Sequence, residues 1–297
     1  MTSSAADSRW IRAMPAVFVL IWSTGFIVAR YGMPNSPPFS FLLVRYALSV
    51  LCFLGWIALA RVAWPRSRAQ WVHLGITGVF MHAGYLGGVW AAVKAGMGSG
   101  LSALIVGLQP VLTAIWLSSR GNGHVSRRQW VGLWLGFIGL AMVGSRKLEG
   151  GIEVTPWSVT MAVMALFSIT IGTLYQKKFV QPCDVRSANT VQLLAALVVT
   201  LPLAGWESEA IRWNAEMVGA MAWSVLGLTL GGSSLLYLLI QRGAAASVTS
   251  LMYLVPPTTA VIAWFLFGEA ITWVTLMGIA VTAIGVSLVV RPPRIAP

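Results

Sequence analysis

An all-α integral membrane protein of ten spans, built as two inverted five-helix halves around a central cavity, is the fold class this sequence predicts. Three observations carry that prediction. The 297 residues are 57% hydrophobic and only 9% charged, with a mean hydropathy of +0.78, whereas soluble domains run near 25% charged. Apolar runs recur along the whole chain at about the 20 residues a helix needs to cross a hydrocarbon core near 30 Å thick. The second half then repeats features of the first at an offset of about 146 residues, Pro110 falling on Pro256, Gly132 on Gly278 and Gly139 on Gly285, which is the kind of internal repeat to find before any site is argued.

The spans follow in order. Span 1, at 13–31, begins after Arg9 and Arg12 and holds Trp22 and Gly25 one turn apart. It is too long for the h-region of a cleaved signal peptide. Span 2 (38–60) contains Arg45, the one Lys or Arg well inside a span, and span 3 (71–93) carries His82 and Tyr85 with Gly84, Gly87 and Gly88. Span 4 (97–118) has Gln109 beside Pro110, and span 5 (126–145) the small face Gly132, Gly136 and Gly139. Span 6 (155–176) presents Ser168, Gly172 and Tyr175 at i, i+4 and i+7, and span 7 (186–205) completes the apolar series. Span 8 (217–241) places Ser233, Tyr237 and Gln241 at successive four-residue steps, hence on one helix face. Span 9 (247–267) has Tyr253 near Pro256, and span 10 (271–290) the small face Gly278, Thr282 and Gly285. Small faces of this kind let membrane helices pack closely, within one chain or between two.

Charge sets the expected orientation. Of the 20 Lys and Arg, only Arg30, Lys94, Arg146, Lys147 and Arg212 fall on one side of this map; Arg45 lies within a span and the others lie on the opposite side. Positive loops are retained in the cytoplasm, so both termini are expected there. The net charge of +12 is then loop charge rather than a nucleic-acid footprint, because the cations stand singly or in pairs between apolar runs. Cys52 and Cys183 have no metal-ligand neighbour at the usual spacing, and no cofactor or metal is expected.

Five is an odd number of crossings, so the two halves, 1–148 and 149–297, must enter the membrane from opposite sides. Inverted repeats are a common transporter architecture, with substrate held near the midplane between them. The residues also resemble a known family. Trp22-Ser23, Pro37-Pro38 with Arg45, Lys94-Ala95-Gly96 leading to Ser102 and Pro110, and Gln129-Trp130 with Gly132 resemble one EamA repeat. Gln241-Arg242-Gly243, the run from Ser250 to Pro257, Phe267-Gly268-Glu269 and Gly278 resemble a second. The likeness covers nearly the whole chain and implies the drug/metabolite transporter superfamily in a bacterial inner membrane, with YddG-type aromatic amino-acid exporters as the nearest functional analogue it suggests. One departure is that Glu269 stands at the end of span 9 where Gly121-Asn122-Gly123 stand in the first copy.

Polar side chains are expensive in hydrocarbon, so those that persist face the interior or a wet cavity. The expected substrate-binding set is Trp22, His82, Tyr85, Gln109, Ser168, Tyr175, Ser233, Tyr237, Gln241 and Tyr253, from spans 1, 3, 4, 6, 8 and 9. Tryptophans near span ends, Trp10, Trp64, Trp71, Trp130, Trp157, Trp206, Trp213 and Trp273, fit interfacial anchors. Arg45 could snorkel outward, pair with a carbonyl or hold a substrate carboxylate. All eight acidic residues lie in tails or connections, which favours facilitated diffusion or weak coupling over a carboxylate proton relay. The expected activity is export of small neutral or zwitterionic metabolites, amino acids including aromatic ones foremost, by a monomer or homodimer in the lipid bilayer. The competing classes are an integral membrane enzyme acting on lipid, which would want clustered acid/base residues, an exporter of another metabolite or drug class, and an assembly protein.

Overall fold

Hydroxyl and proline residues set where the rods of this chain begin and bend. The computed structural model describes residues 5–97, 102, 105–119, 125–145, 155–242, 245–267 and 272–290, and every regular element among them is a helix. Span 1 is α1 (Ala5–Ser23) followed by α2 (Gly25–Gly32). Ser23 Oγ lies 2.6 Å from the Val19 carbonyl and Thr24 Oγ1 lies 2.6 Å from that of Ile21, and such back-bonding bends a helix. α3 (Pro38–Ala60) starts with proline at its first position, where the missing N–H costs nothing. Its next free amides, Phe39 N and Ser40 N, donate to the Glu207 carboxylate at 2.9 and 2.7 Å, an anion at the positive end of the helix.

Span 3 is a continuous rod, α4 (Arg68–Gly78) and α5 (Tyr85–Lys94), joined by a π-helical stretch at Val79–Gly84. α6 (Gln109–Ser119) and α7 (Arg127–Ser145) close the first half. The second half begins with α8 (Pro156–Phe179) behind a capping box of Thr155 and Ser158, and α9 (Val185–Gly205) behind Asp184. Span 8 repeats the design of span 3: α10 (Ala215–Trp223), a π-helical stretch at Ser224–Ser233, and α11 (Ser234–Arg242). α12 (Ala245–Ser250), a 3₁₀ turn at Leu251–Leu254 and α13 (Val255–Phe267) make span 9, and α14 (Trp273–Val290) ends the described chain.

Seven helices among the described residues are long and apolar enough to cross a membrane: Ala13–Asn35, Pro38–Ala60, Arg68–Lys94, Pro156–Phe179, Val185–Gly205, Ala215–Arg242 and Val248–Leu266. α6, α7 and α14 lie where spans 4, 5 and 10 were expected, α14 through a shorter apolar helix at Leu276–Val289. Trp64, Trp71, Trp157, Trp206, Trp213 and Trp273 are exposed and Trp130 is half-buried; the Trp10 side chain lies outside the described residues.

The packing relates the halves. A Cβ at Gly132 would stand 2.6 Å from the Gly285 carbonyl oxygen, and one at Gly139 2.5 Å from that of Gly278. Gly132 and Gly278 are repeat mates, as are Gly139 and Gly285, so each glycine meets the mate of the other. That is the crossing made by two repeat-related helices running antiparallel, and it places the small faces of spans 5 and 10 against each other inside the fold. The pairing of spans repeats as well, since Gly84 of span 3 abuts Ser168 of span 6 and Gly232 of span 8 abuts Trp22 of span 1.

One cap offers a direct test. Asp184 Oδ1 accepts from the Arg186 amide at 2.9 Å, and Arg186 grips the same carboxylate through Nε and Nη2. The Arg186 guanidinium holds the Asp184 carboxyl below its ordinary range. A carboxyl depressed by folding stabilises the protein above the unfolded-state pKa, and that stability is lost as pH falls through the folded value. Asp184→Ala is therefore expected to cost about 1 kcal/mol at neutral pH, read as a lower thermal midpoint of the purified protein. The gap between variant and parent should close on acidification below the carboxylate range.

Candidate substrate cavity

Among the described residues, two neighbouring hollows share one indole as a wall. The larger, a cavity of about 50 Å³ that is partly open to solvent, lies between Trp22, Gly25 and Ala29 of span 1, Arg45 of α3, Tyr85, Leu86, Val89 and Trp90 of α5, and Leu228 of span 8. The smaller, about 10 Å³, is lined by Trp22, Met81 and His82, by Gln176 of α8 and Gln192 of α9, and by Ser233, Leu236 and Tyr237 of span 8. Trp22 walls both. Its ring lies parallel to that of Tyr85, 4° between planes and 6.4 Å between centroids, with Phe18 at 5.2 Å behind it.

The two π-helical stretches shape this region. A π turn leaves backbone carbonyls without their usual partners and often marks a functional site. Here hydroxyls supply the missing bonds: Tyr46 Oη donates to the His82 carbonyl at 2.9 Å, Thr229 Oγ1 to that of Ser224 at 2.9 Å, and Ser233 Oγ to that of Leu228 at 3.4 Å. Arg45 Nε in turn donates to Thr229 Oγ1 at 2.9 Å. Neighbouring residues of α3 thus reach to both π-helical stretches, Tyr46 to the one in span 3 and Arg45 to the one in span 8.

The two ends of the bundle differ. At the end nearer the small hollow, Gln70 and Gln181 exchange two hydrogen bonds, Nε2 to the Gln181 carbonyl at 2.7 Å and the Gln181 amide to Oε1 at 3.1 Å. Cys183 Sγ and Tyr237 Oη stand 3.2 Å apart, and Lys177 Nζ donates to the Gln241 carbonyl at 3.1 Å. At the other end the connection between α9 and α10 lies over the start of α3. Arg212 donates to the carbonyls of Asn35 and Pro34, both at 2.8 Å, and Lys94 pairs with Glu209 at 2.7 Å. The Lys94 ammonium holds the exposed Glu209 carboxyl below its ordinary range.

Of the ten side chains expected from sequence, the structure brings Trp22, His82, Tyr85, Ser233 and Tyr237 to the hollows. The other five are placed elsewhere. Gln109 donates to Thr173 Oγ1 at 3.2 Å, bridging α6 to α8, and Ser168 fills the notch at Gly84. Tyr175 Oη meets His73 Nδ1 at 2.7 Å beside Phe179, and Gln241 Nε2 donates to the Val180 carbonyl at 3.4 Å. Tyr253 is fully buried against Gly136 of α7. In exchange, spans 2 and 7 line the hollows through Arg45 and Gln192, and Gln176 and Trp90 join them. Gln192 lies seven residues inside an apolar helix, and an intramembrane amide was the available signal for it.

Comparison with known proteins agrees with this architecture. A family model described as the EamA-like transporter family matches residues 11–145 and again residues 156–291. The chain is 25% identical to an Escherichia coli (strain K12) protein named "Uncharacterized inner membrane transporter YedA", over 92% of this chain and 89% of that one. It is 25% identical to the Bacillus subtilis (strain 168) "Uncharacterized transporter YvbV", again over 92% and 89%. A Salmonella typhimurium (strain LT2) protein named "Probable amino-acid metabolite efflux pump" is 24% identical over 88% of each chain. A solved crystal structure superposes with a TM-score of 0.76 over 93% of this chain and 94% of that chain at 16% identity, which shows a shared fold. With both halves matched by one model, the chain is a multi-pass membrane transporter and belongs to the EamA-like transporter family.

Proposed function

We propose that this transporter exports small neutral or zwitterionic metabolites, aromatic amino acids foremost, by alternating access across a bacterial inner membrane. The proposal takes the ten-span map in full, as two inverted halves with both termini cytoplasmic. The observation that carries it is the parallel Trp22 and Tyr85 pair in the wall of the larger hollow, since flat aromatic faces reward a flat ligand. The relative named as an amino-acid metabolite efflux pump points the same way. Asp184, Glu207, Glu209 and Glu216 sit at helix ends or in connections, and His82 is the one titratable imidazole at the hollows, so the favoured mode is facilitated exchange.

The test is counterflow in proteoliposomes with labelled phenylalanine, threonine and a nucleoside, with and without an imposed pH gradient. The expected result is exchange of both amino acids, none of the nucleoside, and rates that the gradient leaves unchanged. Nucleoside exchange without amino-acid exchange would sink the substrate class, and a several-fold response to the gradient would sink the facilitated mode.

A further inference from the structure

We infer that Arg45 is the anchor for a substrate carboxylate, which restricts the cargo to molecules with a free carboxylate and favours those that join it to a flat apolar body. The inference rests on the transport reading above and adds to it a binding residue and a required chemical group.

Arg45 stands in α3 between residues that face the core, and only 3% of its surface is exposed. Its Nε is held by Thr229 Oγ1 at 2.9 Å, while its two terminal nitrogens hydrogen-bond to nothing among the described residues. They are also not sealed from space, since the side chain forms part of the wall of the larger hollow. No acid among the described residues lies near it: Glu207 caps α3, Glu209 pairs with Lys94, Asp184 pairs with Arg186, and Glu216 is exposed on α10. A buried charge without a partner is costly enough to be rare in a membrane protein. An arginine fixed at Nε in the wall of a hollow, with no hydrogen-bond partner for its terminal nitrogens among the described residues, keeps the planar fork that takes a carboxylate in two parallel hydrogen bonds.

The rest of that wall selects the body. Trp22, Tyr85 and Trp90 supply ring faces and edges, and Leu86, Val89 and Leu228 supply aliphatic contact. A ligand bound with its carboxylate on Arg45 lays an apolar ring on these side chains. A small hydrophilic anion would satisfy the charge and leave the apolar wall uncovered.

The experiment uses a matched pair, 3-phenylpropionate and 3-phenylpropionamide, which differ in charge and not in the ring. Each is titrated against the purified full chain at constant ionic strength, and the thermal midpoint is followed; acetate supplies a carboxylate without a ring. The acid is expected to act at a concentration at least about tenfold lower than the amide, as a charged hydrogen-bonded pair implies, and acetate is expected to act weakly. Arg45→Gln should abolish the difference between acid and amide, and Arg45→Lys, which keeps the charge and loses the fork, should restore only part of it. Equal potency of acid and amide on the parent protein overturns the anchor without need of any variant, as does a difference that survives in Arg45→Gln. Silence toward both ligands also overturns it. Phenylalanine counterflow, run alongside, then shows which idea has failed: exchange that persists removes only the anchor, and exchange that is absent removes the aromatic amino-acid substrate class with it.

Discussion

Adding a single methyl group at Gly78 is expected to remove most of the folded protein. Gly78 ends α4 where the π-helical stretch of span 3 begins, and a Cβ there would coincide with the backbone carbonyl of Gln192 on α9. A flexible side chain could move aside; a helix backbone cannot do so without shifting its neighbours. Overpacking a close interior contact costs about 1–3 kcal/mol even where side chains can adjust, and here the obstacle is main chain. Because Gln192 also lines the smaller hollow, any protein that survives carries a displaced cavity wall. Gly55 is the control, since a Cβ at that position of α3 meets nothing within 4 Å and alanine there should be neutral or stabilising by about 0.5–1 kcal/mol. Monodispersity and thermal midpoint in mild detergent read the outcome. If Gly78→Ala melts with Gly55→Ala and the parent, α4 and α9 are not in backbone contact.

Gly78 also marks the line between what could be read from the residues and what could not. Close helix packing in a bilayer is written in small residues at helical spacing, so the glycine faces of spans 5 and 10 and the 146-residue repeat were legible, while the antiparallel crossing at Gly132 and Gly139 came from the structure. What spacing alone left open was whether those faces met within one chain or between two. The cavity was less legible because periodicity gives a face and not a depth. Ser233, Tyr237 and Gln241 share a face, but Gln241 lies about 12 Å along the axis from Ser233 at 1.5 Å per residue, beyond the lining of the hollow and against the Val180 carbonyl. Ser168 and Tyr175 are separated in the same way, the first at the centre and the second beside His73. The π-helical stretches add a second difficulty. They change the rotation between residues on either side, so a face drawn at a constant 3.6 residues per turn drifts from the real one. Gln109 and Tyr253 illustrate a third: the prolines beside them mark an irregular backbone, but α6 and α13 pack at the side of the bundle, and both side chains are taken up between helices.

Trp22 is where the cavity depends on one side chain. The indole walls both hollows, stacks over Tyr85 and closes on Gly232 of span 8, so Trp22→Ala merges the two spaces and strips one face from the aromatic pair. Phenylalanine exchange is expected to fall several-fold more than threonine exchange, because an aromatic pair contributes about 0.5–1.5 kcal/mol beyond its buried area and threonine has no ring to lose it. General unfolding would lower both alike, so the ratio separates a binding role from a packing one. Trp22→Phe keeps a ring between the hollows and should recover most of the phenylalanine rate, while Phe18, behind Trp22 at 5.2 Å, supplies a packing control when changed to leucine. Counterflow normalised to folded protein is the measurement. Equal losses for phenylalanine and threonine in Trp22→Ala would mean that the indole holds spans 1 and 8 together without touching cargo, and the aromatic selectivity would then have to come from Tyr85 and Trp90 on α5.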